Sequence, residues 1–420
     1  MPQKSLILIT EGFPFGESEQ SFLRREFDEL VKRYQVTLLA KKTDEPIKYP
    51  IPDSVSVEQY ASRSNSGKQL LAALPQFISA LLKPHVLKEL LSALRGCSFR
   101  LKKQRLKELI SVAVQVEQLK SVLVPLIEKH NADFIYSYWC RPIILSAAEL
   151  KQKYPNLKVL TRFHGIDLYN ERTTSGWQPF RTAISEKCDR LVFACETGRD
   201  YYLAHWGQKW AKKSIVSYLG CAPLARISAQ KSDCLTMVSC SNAIPLKRIH
   251  LIIEALALLP GEIRVDWHHI GDGIELENLK QMAGNRLAAH INISWKFWGY
   301  ISNHQLNVVY QDVQPDLFIT LTETEGGAPV SIQEIFSMGV PAIGTAVGGI
   351  PEQVQTGKTG YLLSADPPPV EVCKAIVDFY NAELELRQAM CDAAYALWQE
   401  KFDAKANAIR FVEMLADMAE

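Results

Sequence analysis

Short runs of consecutive apolar residues alternate with longer stretches whose apolar positions recur every three or four residues. The first such runs are 6–10 (LILIT) and 36–40 (VTLLA), and residues 18–34 between them have the helical period. Apolar runs of strand length without polar alternation predict strands buried on both faces, as in a parallel sheet covered by helices. Residues 134–138 (FIYSY), 159–163 (VLTRF) and 191–194 (LVFA) continue the series, each followed by a turn and a helical pattern. A second series begins near Cys234. Its strands are expected at 235–239, 265–270, 293–297, 317–321 and 342–345, with helices at 249–259 and 330–338. The break between the series lies at 219–232, where Gly220 and Pro223 supply the flexible and stiff points of a hinge.

A chain of 420 residues is too long for one ordinary core and suits two domains of about 200 residues each. The reading is therefore α/β, with two doubly wound domains at 1–222 and 223–397. A C-terminal helix, 398–420, is expected to return to the first domain.

Residues 61–130 break the alternation, with little strand signal and strong helical periodicity. They hold twelve Lys or Arg against four Glu, a local charge of +8 in a chain whose formal net charge is +1. Two readings stand: a solvated helix pair packed on the first domain, or a surface that lies on anionic lipid. The near-zero overall charge gives no case for a nucleic-acid partner. Nine cysteines, an odd number with no CxxC pair, read as buried thiols and point to a reducing, cytoplasmic compartment. The N-terminal apolar run is interrupted by Glu11 and Gly12, so neither a signal peptide nor a transmembrane helix is expected.

The most informative stretch is 322–363, TETEGGAPVSIQEIFSMGVPAIGTAVGGIPEQVQTGKTGYLL. It leaves a predicted strand, turns through Gly326, Gly327 and Ala328, and starts a helix near Pro329 and Val330. Bare glycine backbone and unsatisfied first-turn N–H groups form a site for a diphosphate or for sugar hydroxyls. Glu334, one turn into that helix, suits a pair of ribose hydroxyls. Other strand-end segments are Thr10 to Glu19 with Gly12 and Glu19, Thr161 to Tyr169 with His164 and Asp167, Val238 to Arg248 with Lys247 and Arg248, and Trp298 to Ile301 with Tyr300. The first lacks the G-x-G-x-x-G spacing of a dinucleotide fingerprint, which argues against an oxidoreductase.

The order and spacing of Glu334, Gly339 to Glu352 and Gly357 to Leu362 resemble the signature of the family 4 retaining glycosyltransferases of the GT-B fold. The resemblance implies two Rossmann-like domains facing each other across a cleft. It implies a nucleoside-diphosphate sugar as co-substrate, no cofactor and no metal; no D-x-D motif occurs in the chain. By this resemblance His164, Lys247 and Glu325 are the catalytic set. Gly12, Glu19, Asp167, Arg248, Tyr300, Gly326, Gly327, Ala328, Pro329, Val330 and Glu334 bind substrates.

Two positions depart from the family pattern. Asn242 stands where an Arg is expected, with Arg248 the candidate to replace its charge. Gly326 occupies the first glutamate position, one residue after Glu325; either the extra glycine lets Glu325 loop back, or the carboxylate for the donor sugar is misplaced. The implied activity is retaining transfer of a hexose-type sugar to a hydroxyl, in bacterial surface polysaccharide or glycolipid synthesis, on a sugar or lipid-linked acceptor. Peripheral contact with an anionic membrane would follow. The competing readings are a non-catalytic binding protein of the same fold and a Rossmann oxidoreductase.

Overall fold

The computed structural model describes residues 3–61, 80, 83–96, 98–229 and 232–418. It divides into two units, Met1–Ser217 with Lys405–Glu420, and Tyr218–Ala404. The division thus falls at Ser217 and Tyr218, ahead of the expected 222, and the chain rejoins the first unit at Lys405, not at 398. Trp398 and Phe402 explain the second difference. Both are buried in the core of the second unit, in the π-helical turn Trp398–Phe402, before the last helix, Ala404–Asp417. The expected hinge residues also pair within that unit, where the Cys221 N–H donates to the Phe402 carbonyl at 2.9 Å and the Ala404 N–H to the Cys221 carbonyl at 3.1 Å.

The described strands of the first unit are β1 (Ser5–Thr10), β2 (Gln35–Lys41), β3 (Ser56–Tyr60), β4 (Phe134–Ser137), β5 (Lys158–Phe163), β6 (Arg190–Phe193) and β7 (Ser214–Val216). All pair in parallel, in the order β3-β2-β1-β4-β5-β6-β7. Those of the second unit are β8 (Cys234–Cys240), β9 (Arg264–Ile270), β10 (Ile293–Phe297), β11 (Leu317–Thr320), β12 (Ala342–Thr345) and β13 (Gly360–Leu363). They too are parallel, in the order β10-β9-β8-β11-β12-β13. Each sheet is doubly wound, reversing between β1 and β4 in one unit and between β8 and β11 in the other. β1 is buried at every residue, as an uninterrupted apolar run requires when helices cover both faces.

The basic region contributes two described helices to the first unit, Pro84–Ala93 and Phe99–His130. Its residues 62–79, 81, 82 and 97, with Arg63, Lys68 and most of the apolar run 70–82, lie outside the described residues. The helix Phe99–His130 is long and apolar enough to cross a membrane by length and composition, which the sequence reading did not expect. In the structure it serves as a core helix: Leu109, Ala113, Val116, Leu119, Leu123 and Ile127 are buried in the first-unit core. Part of the basic charge is consumed inside the unit. Lys83 and Lys120 converge on Glu117 and Glu149, and Arg105 donates to the Ser175 and Gly176 carbonyls.

One buried charge ties the first unit together. Arg162 on β5 is fully buried and pairs with Glu26 of the helix Glu17–Arg33. It also donates to the Tyr136 hydroxyl on β4 at 2.8 Å and to the Ser217 carbonyl at 3.0 Å. Its guanidinium lies 5.1 Å from the centroid of the Phe411 ring, on the last helix. A buried ion left without its partner is strongly destabilising, whereas an apolar pair of similar volume is tolerated. Glu26→Leu should therefore lower stability by about 3–5 kcal/mol, and Glu26→Leu with Arg162→Met should recover most of that loss. Urea unfolding followed by far-UV circular dichroism checks both; a double variant no more stable than the single one contradicts the reading.

Candidate active site

In the second unit, the loops that leave the sheet reversal lie together. β8 runs into the segment 241–244 and the 3-10 turn Pro245–Lys247, while β11 runs into the turn that begins the helix Val330–Ser337. The Glu323 N–H donates to the Leu246 carbonyl at 2.9 Å, which fixes one loop to the other. Lys247 and Glu325 meet there as an ion pair, each about one-fifth exposed. Glu325 thus reaches Lys247 despite the departure at Gly326.

The loop after β12 closes the same site. The Gly349 N–H donates to the Gly327 carbonyl at 3.0 Å. A β-carbon at Gly348 would lie 2.7 Å from the Glu325 carbonyl oxygen, and one at Gly349 would lie 2.6 Å from the Ala328 nitrogen. Only glycines allow that approach, and Gly348 also has φ +52°. The turn through Gly326, Gly327 and Ala328 is thereby held from below. Pro329 is the residue before the helix, with no capping side chain. The first-turn N–H groups, beginning with that of Val330, are left to whatever binds there.

Glu334 lies one turn on, partly buried. Burial pushes its carboxyl up to about 7, and no hydrogen bond joins it to another described residue. Tyr300 is 73% exposed in the loop after β10, which is tied to β9 by the Gly271 N–H donating to the Gly299 carbonyl at 2.9 Å.

In the first unit, His164 follows β5, and its Nε2 lies 3.0 Å from the Tyr138 carbonyl. A carbonyl only accepts, so Nε2 carries the proton, and the unprotonated Nδ1 faces the Asp167 N–H in a capping box at the start of the helix Gly165–Leu168. Burial, then the Arg162 charge, lowers the imidazole to about 3, so it is neutral. Trp139 packs on it with ring centroids 4.3 Å apart.

Several expected ligands are engaged in holding their own loops. Glu19 is 3% exposed and accepts from the N–H groups of Glu11, Gly12 and Phe13 and from the Trp139 indole. It anchors the β1 loop and leaves the Gly12 N–H already satisfied. Asp167 holds the His164 ring through its backbone N–H in a capping box, while its carboxylate accepts from the backbone N–H groups of His164 at 2.6 Å and Cys140 at 2.7 Å, and burial raises it to about 6. Arg248 cannot replace the missing charge at the exposed Asn242. Its guanidinium is buried and donates to the carbonyls of Leu321, Thr322 and Ala365 and to Asp366. Arg141 and Trp139, which the sequence reading passed over, stand in the β4 loop. Arg141 faces Glu11 at 3.5 Å, and Lys41 meets the same carboxylate at 3.1 Å. Their signal was the position, the first residues past a buried strand.

Known proteins share parts of this chain's sequence and its fold. The family model "Glycosyl transferases group 1" matches residues 224–397. The chain is 36% identical over 126 residues to N-acetyl-alpha-D-glucosaminyl L-malate synthase of Bacillus anthracis, covering 30% of this chain and 31% of that protein. It is 26% identical over 217 residues to WcaL of Salmonella typhimurium, named as a colanic acid biosynthesis glycosyltransferase, covering 49% and 51%. The matches thus span about a third and about half of these relatives' length. Among solved structures, Anabaena Alr3699/HepE in complex with UDP superposes with a TM-score of 0.63 at 16% identity, over 99% of this chain and 100% of that one. Residues 224–397 are therefore similar to the glycosyl transferases group 1 family, and the chain as a whole has the two-domain GT-B fold.

Proposed function

We propose that the protein is a retaining, metal-independent glycosyltransferase that moves a hexose-type sugar from a nucleoside diphosphate to a hydroxyl acceptor. The observation that carries this reading is the Lys247–Glu325 pair beside the uncapped helix Val330–Ser337, at the sheet reversal of the second unit. The leaving diphosphate gathers negative charge as the glycosidic bond breaks. Lys247 and the helix N–H groups are fixed in advance to meet that charge. When the donor binds, the diphosphate takes over Lys247, and Glu325 is released to the sugar hydroxyls. Glu334 accepts from the ribose, and Tyr300 offers an exposed ring to the base. In the first unit, the neutral ring of His164, held by the Tyr138 carbonyl and the Asp167 N–H, faces the donor sugar. The UDP complex of the Anabaena structure and the group 1 match support a nucleotide-sugar donor.

The proposal includes peripheral contact with an anionic membrane at the cytoplasmic face. The helix pair in the first unit exposes Leu87, Leu91, Leu94 and Phe99, the last at 84%, beside the exposed cations Lys88, Arg95, Arg100, Lys103 and Lys107. Apolar side chains interleaved with cations are what an anionic bilayer surface accommodates.

Lys247→Ala should lower kcat/KM for the donor by about 2–4 kcal/mol, the scale for removing a charge matched to the transition state. Glu325→Gln should do the opposite to product binding: the free nucleoside diphosphate binds more tightly once its competitor for Lys247 is neutral, while sugar transfer slows. Calorimetry with UDP, GDP and ADP, set beside steady-state rates, reads both. Normal turnover in both variants contradicts the site.

Glu334 gives a pH signature. Its folded-state value of about 7 lies above the ordinary 4.5, so between those values the folded chain binds the extra proton. The stability that Glu334 contributes falls as pH rises through that window. Glu334→Gln should therefore gain in unfolding midpoint over the parent at about pH 8 and not at about pH 5. Equal differences at the two pH values overturn the assignment.

Co-sedimentation should show binding to anionic vesicles that weakens with salt and is lost in Leu91→Ser with Phe99→Ser. No binding at low salt removes the membrane from the reading.

A further inference from the structure

The helix Phe99–His130 meets the loops after β4 and β5 around a cavity of about 290 Å³ inside the first unit. Its walls are largely apolar, with Val112, Leu145, Trp177, Phe180 and Ile184 among them. The charged groups of the lining balance: Arg141 and Arg181 stand against Glu108 and Asp167. The cavity thus has no excess charge to draw in an ion, and what it offers a ligand is apolar burial.

Two arginines of the lining, Arg141 and Arg181, have an Nε without a hydrogen-bond partner; that of Arg141 faces Glu11 at 3.5 Å, which leaves Arg181. Arg181 is 5% exposed, and its terminal nitrogens are used, donating to Cys140 Sγ at 3.2 Å, Gln178 Oε1 at 2.9 Å and the Asp167 carbonyl. Its Nε has no partner. Buried donors are nearly always satisfied, and each exception needs an explanation. A free sugar does not supply one, because hydroxyls on every side would be stripped of water against Val112, Leu145 and Ile184 without partners. An apolar chain that carries a single oxygen fits both the walls and the unpaired donor.

We propose that this cavity binds the apolar segment of an amphiphilic acceptor, an alkyl or isoprenoid-like chain, with Arg181 Nε donating to the oxygen that joins the chain to its polar head. The assignment rests on the glycosyl-transfer reading for the word acceptor, but the binding it describes does not. The chain comes either from a soluble aglycone or from a membrane lipid, and the same contacts serve both.

Calorimetry with methyl, hexyl and octyl β-glucoside, all below micelle formation, tests it on the full chain. Affinity should rise by roughly threefold per added methylene until the cavity is filled, with a negative heat-capacity change. Octyl thioglucoside, whose sulfur is a poor acceptor, should bind more weakly than octyl glucoside. Val112→Trp should abolish the chain-length dependence by filling the space. Leu145→Phe provides a second filling variant should the first fail to fold by circular dichroism. Equal affinity for methyl and octyl glucoside, or chain-length dependence retained in the folded filling variants, overturns the proposal. Donor hydrolysis and transfer, measured on the same preparation, keep the two readings apart. Octyl binding without any turnover of a nucleotide sugar sinks glycosyl transfer and leaves the cavity site standing. Turnover without octyl binding does the reverse. Transfer to octyl glucoside in solution points to the soluble source; transfer only to a long-chain glycoside held in vesicles points to the lipid.

Discussion

Where the order of a parallel sheet reverses, the two central strands send their connections to opposite faces, and no connection covers their carboxyl ends. The functional geometry of this protein follows from that constraint, applied twice. Between β8 and β11 it leaves room for the loops that bring Lys247 to Glu325. Between β1 and β4 it leaves room for the loops that contain Glu11, Trp139 and Arg141, with Glu19 in the first turn of the helix that follows β1. In each unit the sheet is a rigid floor of buried apolar strands. The chemistry lies in short connections whose ends the floor holds fixed.

Such loops must be held without a core of their own, and this separates the polar residues into two sets. Glu19, Asp167 and Arg248 are buried, and their hydrogen-bonding atoms are taken up by loop backbone or by a neighbouring side chain. A buried carboxylate or guanidinium that collects several backbone partners is a loop staple: removing it would leave those groups unsatisfied. The Glu334 carboxyl and the first turn of the helix Val330–Ser337 have no such engagements among the described residues. The groups available to a ligand are the ones the fold has not used.

This division explains what the sequence disclosed. The two doubly wound units, and the strands β1, β2, β4 to β6 and β8 to β12, were legible because long apolar runs have one physical meaning in a parallel sheet. The strands that were missed, β3, β7 and β13, all lie at sheet edges. There one side of the strand is unpaired and the residues are half-exposed, as in the SVEQY of β3, so their pattern is diluted. The site was legible to the level of the loop. Residue type and strand-end position do not separate a staple from a ligand, because both require a polar side chain just past a buried strand. Glu19 and Glu334 look alike in the sequence; only hydrogen-bond accounting in three dimensions distinguishes them. The meeting of Glu325 with Lys247 was likewise open in the sequence. It depends on how tightly Gly348 and Gly349 let the next loop approach, and therefore on contacts far away along the chain.

On the proposed reading, the Lys247–Glu325 pair also bears on how a site for a diphosphate is stable in its absence. A lysine fixed near the uncapped N-terminus of a helix adds like charge to the positive end of the helix dipole. That arrangement is unfavourable unless an anion is present. Glu325 supplies the anion from the same loop, at the price of becoming a competitor to the diphosphate. The pair is about one-fifth exposed, so water screens the attraction and keeps the exchange reversible, which a fully buried pair would not permit. Buried Arg162 shows the contrast: with Glu26, two hydroxyls and a carbonyl around it and no exposure, its charge is committed to the fold. On that reading the same kind of ion pair is structural in one unit and exchangeable in the other, and what separates them is access to water, about one-fifth exposure against none for Arg162.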